Sequence, residues 1–180
     1  MQEETGSALV YTSFFLMLYR EGMPGGILFA AVSAVVYFVV GVRFSEMAIW
    51  PGAPVSLGNA LVLVLVHLFT VFLVKAYTPD SKVVKRILWY GVAADCCALL
   101  FCYYVIPFDI TCILMILYLI WLSIREQMLR YLYIALFAIG SLTFFYSANF
   151  VLNDVMEPHQ QMRIRVLLGL EDDPRGAGYN

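Results

Sequence analysis

Between Leu57 and Val74 the chain has the long apolar sequence LGNALVLVLVHLFTVFLV. Its only ionisable side chain is that of His67, so a helix formed here is apolar on nearly every side. In a bilayer the backbone must satisfy its own hydrogen bonds, which an α-helix does within one segment. Crossing about 30 Å of hydrocarbon takes about 20 residues at 1.5 Å each. The stretch is therefore predicted to be a transmembrane helix.

The rest of the chain has the same character. Hydrophobic residues make up 62% of the sequence and charged residues 13%, with a mean hydropathy of +0.82, whereas soluble domains are roughly half apolar and a quarter charged. Barrel strands would alternate polar and apolar residues, which these runs do not. We predict an all-α, polytopic transmembrane helical bundle over residues 1–152, followed by a polar segment 153–180. Its hydrophobic spans are expected near 6–19, 27–42, 57–74, 87–106, 110–124 and 131–152.

Basic residues predict how this bundle is oriented. Most of the eleven lie in three turns, at 20–26, 75–86 and 125–130, and loops rich in Lys and Arg stay in the cytoplasm. Alternation of the spans then places all three turns on the cytoplasmic side of a bacterial inner membrane and the segment 153–180 in the periplasm. The net charge is −2 and the basic residues form no single patch, so nucleic acid is not expected as a partner.

Two connections are predicted at the opposite, outer end. The segment 43–58 is rich in Pro and Gly, and Trp50 within it is well placed as an interfacial anchor. The sequence Pro107-Phe108-Asp109 predicts a tight turn, because Pro punctuates helices and Asp prefers water.

Two ionisable residues, His67 and Asp95, fall within the predicted spans. An ionisable group at membrane depth is costly and often functional, as a proton or ligand site. The alternative for each is a hydrogen bond to a neighbouring helix, or a neutral Asp95. Neither alternative is excluded by the sequence.

Small side chains and thiols within the spans indicate packing rather than chemistry. Small residues about one helical turn apart permit close approach of helices; they are Ala30 with Ala34, and Gly91 with Ala94. The cysteines have no His or Asp at metal-ligand spacing and are predicted to be buried, unreactive thiols; they are Cys96, Cys97, Cys102 and Cys112.

The tail 153–180 is the one long polar segment. Pro158 suits the first turn of a helix, and the residues after it predict a short amphipathic helix along the outer surface, ended by the sequence at 172–174. Arg163 and Arg165 can pair with a diphosphate in bidentate fashion. The alternatives are ordinary lipid headgroups or the acidic residues at 171–172.

The tail also carries a sequence pattern. Gln160 and Arg163 form Gln-x-x-Arg, and residues 173–179 form Asp-Pro-x-Gly-x-Gly-Tyr. This resembles the start of the large extracytoplasmic loop of the RodA/FtsW (SEDS) family. Residues 2–10, QEETGSALV, resemble the family's Gln-Pro-Asp-x-Gly-Thr-x-Leu, with Glu-Glu in place of Pro-Asp. By this resemblance the residues that shape the loop are Gln160, Asp173, Pro174, Gly176, Gly178 and Tyr179.

The resemblance implies a peptidoglycan glycosyltransferase that polymerises lipid II with a class B penicillin-binding protein, for cell-wall elongation and rod shape. Arg163, with Arg165 as second choice, would bind the diphosphate of the substrate. No cofactor is implied, and a divalent cation is left open. The family's catalytic acidic residue would lie beyond Asn180, and the helices within 57–152 would be an insertion. The chain is thus expected to be a central fragment, inactive by itself.

Two hypotheses of other classes remain open at this point. In the first, the chain is a transporter or flippase component for a lipid-linked precursor, with Asp95 and His67 facing a polar cavity. In the second, it is a structural membrane subunit of the cell-wall machinery that holds a partner through the extra helices.

Overall fold

The computed structural model describes residues 13, 14, 17, 20–52, 55–78, 81–100 and 106–167. The predicted span 6–19 lies almost entirely outside this part. Within it the chain forms six α-helices and one π-helical turn, Val151–Val155. The helices are α1 Gly25–Arg43, α2 Leu57–Tyr77, α3 Ser81–Leu100, α4 Ile106–Glu126, α5 Leu129–Phe150 and α6 Pro158–Leu167.

Three of these helices are long and apolar enough to cross a membrane: Gly25–Arg43, Leu57–Tyr77 and Leu129–Val155. They match the spans predicted near 27–42, 57–74 and 131–152, and they support placing the chain in a membrane. The other predicted spans do not reach this standard within the described residues. The coarser prediction of a helical membrane protein therefore stands, and six spans are not established.

Two predicted connections, the basic loop 75–86 and the tight turn 107–109, are mainly helical instead. α3 begins at Ser81 rather than near residue 87 and ends at Leu100, so the predicted basic loop 75–86 is largely helical. Lys and Arg are good helix formers, and their long stems let the charge reach water from a helix end. The predicted tight turn 107–109 lies inside α4, because a Pro in the first turn of a helix lacks only an N–H that has no partner there.

α2 lies at the centre of the bundle and packs against α1, α3, α4 and α5. Ser56 caps its N-terminus, because the side chain of Ser56 accepts a hydrogen bond from the backbone N–H of Asn59 at 3.2 Å. Apolar side chains from α1, α2 and α4 fill the space around it; the largest fully buried ones include Tyr37, Leu63 and Leu119.

The bundle has two chemically different ends. The basic end comprises residues 20–25, 75–78, 81–86 and 125–130, and there Arg130 Nη1 donates a hydrogen bond to the carbonyl oxygen of Tyr77 at 3.3 Å. The tail end comprises residues 44–52, 55–56 and 151–167, where Arg165 on α6 reaches the loop between α1 and α2. Connected helices thus run alternately between these ends.

The thiols differ from the prediction. Cys112 is buried in α4, but Cys96 and Cys97 are exposed. The prediction of buried cysteines is wrong for these two because, among the described residues, α3 packs mainly against α2 and α4 and the face that carries Cys96 and Cys97 is left uncovered. Cys102 lies outside the described residues.

Candidate functional site

The two ionisable residues singled out within the apolar spans lie next to each other. His67 is halfway along α2 and 5% exposed. Its Nδ1 lies 3.4 Å from Oδ2 of Asp95 on α3. The hydroxyl of Thr111 on α4 donates a hydrogen bond to Oδ1 of the same carboxylate at 3.4 Å. Three helices thus converge on one polar cluster, formed by His67, Asp95 and Thr111, inside an apolar bundle.

Gly91 makes this cluster possible. A Cβ at this position would overlap the imidazole of His67 at Nε2, so the ring rests directly on the backbone of α3. The sequence pattern predicted a close helix approach at Gly91, and the partner that approaches is an imidazole. An alanine here would displace the ring or the helix.

The imidazole of His67 is poorly satisfied. Among the described residues neither ring nitrogen has a well-aligned hydrogen-bond partner, and the 3.4 Å contact with Asp95 has the distance of an ion pair without the geometry of a hydrogen bond. An unmade hydrogen bond is costly in an apolar interior. The ring is therefore suited to form a hydrogen bond with a water molecule or a polar ligand atom.

A cavity of about 250 Å³ lies beside the polar cluster, between α3 and α4. His67 and Thr111 of the cluster line it, and the remaining wall is mainly apolar and aromatic. That wall is formed by Ile87, Tyr90, Gly91, Ala94, Leu114, Met115 and Tyr118. The cavity gives the cluster space for a small polar group surrounded by hydrocarbon.

The tail end holds the second candidate site. The short helix predicted after Pro158 is present as α6. Gln161 anchors it, because its side-chain amide donates a hydrogen bond to the carbonyl oxygen of Met156 at 3.0 Å. Gln160, which the resemblance assigns to loop shaping, is exposed. The other loop-shaping residues, at 173–179, lie outside the described residues.

The two arginines of α6 have different surroundings. Arg165 pairs with Glu46 at 2.8 Å, from Nη1 to Oε1, a partner 119 positions away that the sequence pattern did not indicate. Arg163 is exposed, and no ion pair to it is present within the described ranges. The alternative partners at 171–172 lie outside those ranges.

An apolar cavity of about 320 Å³ lies beneath α6, between that helix, α1 and the end of α5. Its lining includes Phe38, Phe144, Leu152 and Ile164, the last of which directly follows Arg163. Arg163 itself does not line the cavity, because neighbouring residues of a helix point in different directions, so the tail end has an exposed cation and an apolar cavity on different sides of α6. Near them, the hydroxyl of Tyr146 donates a hydrogen bond to the carboxylate of Asp109.

Neither site has the composition of a metal centre. Among the described residues, no three His, Cys, Asp or Glu side chains come close enough together to hold a metal ion. Comparisons of the chain with protein-family models, with curated proteins and with solved structures found no match.

Proposed function

We propose that this chain is the central membrane section of a SEDS-type peptidoglycan glycosyltransferase, which polymerises lipid II for cell-wall elongation. The observation that carries the proposal is the sequence pattern of the tail, Gln-x-x-Arg followed by Asp-Pro-x-Gly-x-Gly-Tyr. The proposed partners are lipid II, membrane lipids and a class B penicillin-binding protein, with the tail end at the periplasmic face.

The chemistry of the tail end supports this substrate class. Lipid II joins a polyprenyl chain to its sugars through a diphosphate, so its binding site needs a cation beside an apolar surface. Arg163 is an exposed cation on α6, and its neighbour in sequence, Ile164, lines the apolar cavity beneath that helix. A guanidinium binds phosphate oxygens in bidentate fashion, and a cation offsets the charge that develops on a departing diphosphate.

The contacts of the two arginines rank their proposed roles. Arg165 is committed to Glu46, so its contribution is to hold α6 against the loop between α1 and α2. Arg163 is exposed and is the better candidate for the diphosphate. The general base is proposed to lie outside this chain, and none of the described carboxylates is assigned that role.

The test is polymerisation of purified lipid II by the full-length protein with its penicillin-binding partner. Arg163→Ala is expected to reduce the rate by about 100-fold, as removal of one preorganised donor does in other enzymes. Arg163→Lys keeps the charge but loses bidentate geometry, so its polymerisation rate should lie between those of the wild type and Arg163→Ala. Glu46→Gln is the matched control that perturbs α6 without removing Arg163. Unchanged polymerisation by Arg163→Ala would refute the assignment.

The polar cluster favours a second candidate function, movement of a lipid-linked precursor across the membrane. His67 lines a cavity between α3 and α4 and contacts Asp95, and ionisable residues inside a membrane often mark the pathway of a substrate or ion. This function predicts that Asp95→Asn slows lipid movement in reconstituted vesicles and leaves polymerisation intact. A normal rate of lipid movement in that variant would exclude the polar cluster from such a path.

A further inference from the structure

A larger apolar groove lies at the basic end, away from both candidate sites. It has a volume of about 710 Å³ and runs between α1 and α5, with Leu73 of α2 also in its wall. Leu73 is 7% exposed. Its remaining lining is mostly apolar and includes Ile27, Ala30, Ile134, Leu136 and Phe137.

Small residues on α1 create this groove. Gly26 and Ala30 lie one turn apart and both line it, and a Cβ built on Gly26 would meet nothing within 4 Å. The small-residue pattern at Ala30 predicted a close helix approach; instead Ala30 is exposed and its missing bulk leaves space. In a bilayer such space on the outside of a bundle faces hydrocarbon.

The mouth of the groove is amphipathic. Tyr77 and Tyr133 lie there, 49% and 66% exposed, in the manner of aromatic residues at the boundary between hydrocarbon and headgroups. Arg130 also lines the groove, and it donates one of its five N–H groups to the carbonyl oxygen of Tyr77. A phosphate-bearing headgroup at this boundary would meet a guanidinium and two phenol hydroxyls.

The surrounding charge favours an anion. Among the described residues, basic side chains outnumber acidic ones at the basic end: Arg20, Lys75, Lys82, Lys85, Arg86, Arg125 and Arg130 against Glu21 and Glu126. The positive-inside rule assigns such an end to the cytoplasmic side, where anionic lipids attract basic residues near the surface.

We propose that this groove is a binding site for an anionic phospholipid, with one acyl chain along α1 and α5 and the phosphate at Arg130. The apolar walls explain why the occupant is a lipid, and Arg130 explains why it is anionic. The proposal is independent of glycosyltransferase activity, because the groove and the proposed diphosphate site lie at opposite ends of the bundle.

The test is native mass spectrometry of the purified protein after exchange into micelles containing phosphatidylglycerol or phosphatidylcholine. The wild type is expected to retain phosphatidylglycerol in preference. Arg130→Gln should reduce that preference by about fivefold, the factor for one cation near an anionic surface. Arg125→Gln is the matched control, because its guanidinium lies over the ring of Trp121 and outside the groove lining.

A second pair of variants tests the groove itself. Gly26→Leu places a side chain in the open space and should abolish retention of phosphatidylglycerol. Gly140→Leu makes the same substitution in equally open surroundings, but lies outside the groove, so retention should persist. The proposal is overturned if the wild type retains both lipids equally, or if Gly26→Leu and Gly140→Leu retain the same amount. Circular dichroism verifies that each variant is folded. If Gly26→Leu is not folded, the comparison of Arg130→Gln with Arg125→Gln decides the proposal.

Discussion

Two glycines set how closely helices approach α2, and they face different partners. At the tail end, a Cβ on Gly58 of α2 would lie 2.5 Å from the carbonyl oxygen of Gly41 on α1 and 3.0 Å from the backbone of Phe44. At the middle of α2, Gly91 of α3 makes room for the imidazole of His67. The first contact joins backbone to backbone, and the second joins backbone to an ionisable ring.

The difference separates a packing contact from a candidate site. Lipid tails are as apolar as Leu, so helices in a membrane associate through close packing and polar contacts rather than by burying apolar surface from water. The crossing at Gly58 uses close packing together with a backbone hydrogen bond, which the N–H of Gly58 donates to the carbonyl oxygen of Phe44 at 2.9 Å. At Gly91 the missing side chain instead makes room to bury His67 beside Asp95 and a cavity, an arrangement that packing does not require.

Gly58→Ala is expected to have the largest effect on stability. The atoms it meets belong to the backbone of α1 and cannot rotate away, so the two helices must separate. Overpacking of this kind costs about 3 kcal/mol, the upper end of its usual range. Unfolding in detergent measures it, with Gly140→Ala as the control in open space. Equal stability of the two variants would show that the crossing of α1 and α2 is looser than described.

Gly91→Ala is expected to cost less, about 1–2 kcal/mol, because the overlapping atom is at the end of a side chain. The imidazole can rotate, but it then loses its contact with Asp95. Removing the ring should relieve the overlap, so His67→Ala is expected to restore part of the stability of Gly91→Ala. A double variant that is simply the sum of both losses would contradict the contact between ring and backbone.

The comparison also shows what the sequence could predict. α1, α2 and α5 were located well because each is an apolar run between polar residues. α3 was misplaced because hydropathy reports burial in lipid, whereas Lys82 and Lys85 extend the helix without being apolar.

The candidate sites were only partly predictable. His67 and Asp95 stand out as ionisable residues among apolar ones, but their proximity depends on how α3 packs against α2. Thr111 gives no such signal. Likewise, Glu46 is one acidic residue in a polar loop, and its pairing with Arg165 arises only from the fold.

The coupling between His67 and Asp95 is expected to be the smallest of the three effects and the most informative. A double-mutant cycle with His67→Leu and Asp95→Leu isolates their interaction. Polar contacts between membrane helices average about 0.6 kcal/mol and reach about 1.7. Because the 3.4 Å contact between His67 and Asp95 is misaligned, we expect their coupling energy to be about 0.6 kcal/mol. A structural latch would show a coupling near the upper value and normal activity in variants that retain stability. If the coupling is instead about 0.6 kcal/mol and lipid movement is lost, the pair acts in lipid movement rather than in holding α2 and α3 together. The loss of activity would then exceed what the loss of stability explains.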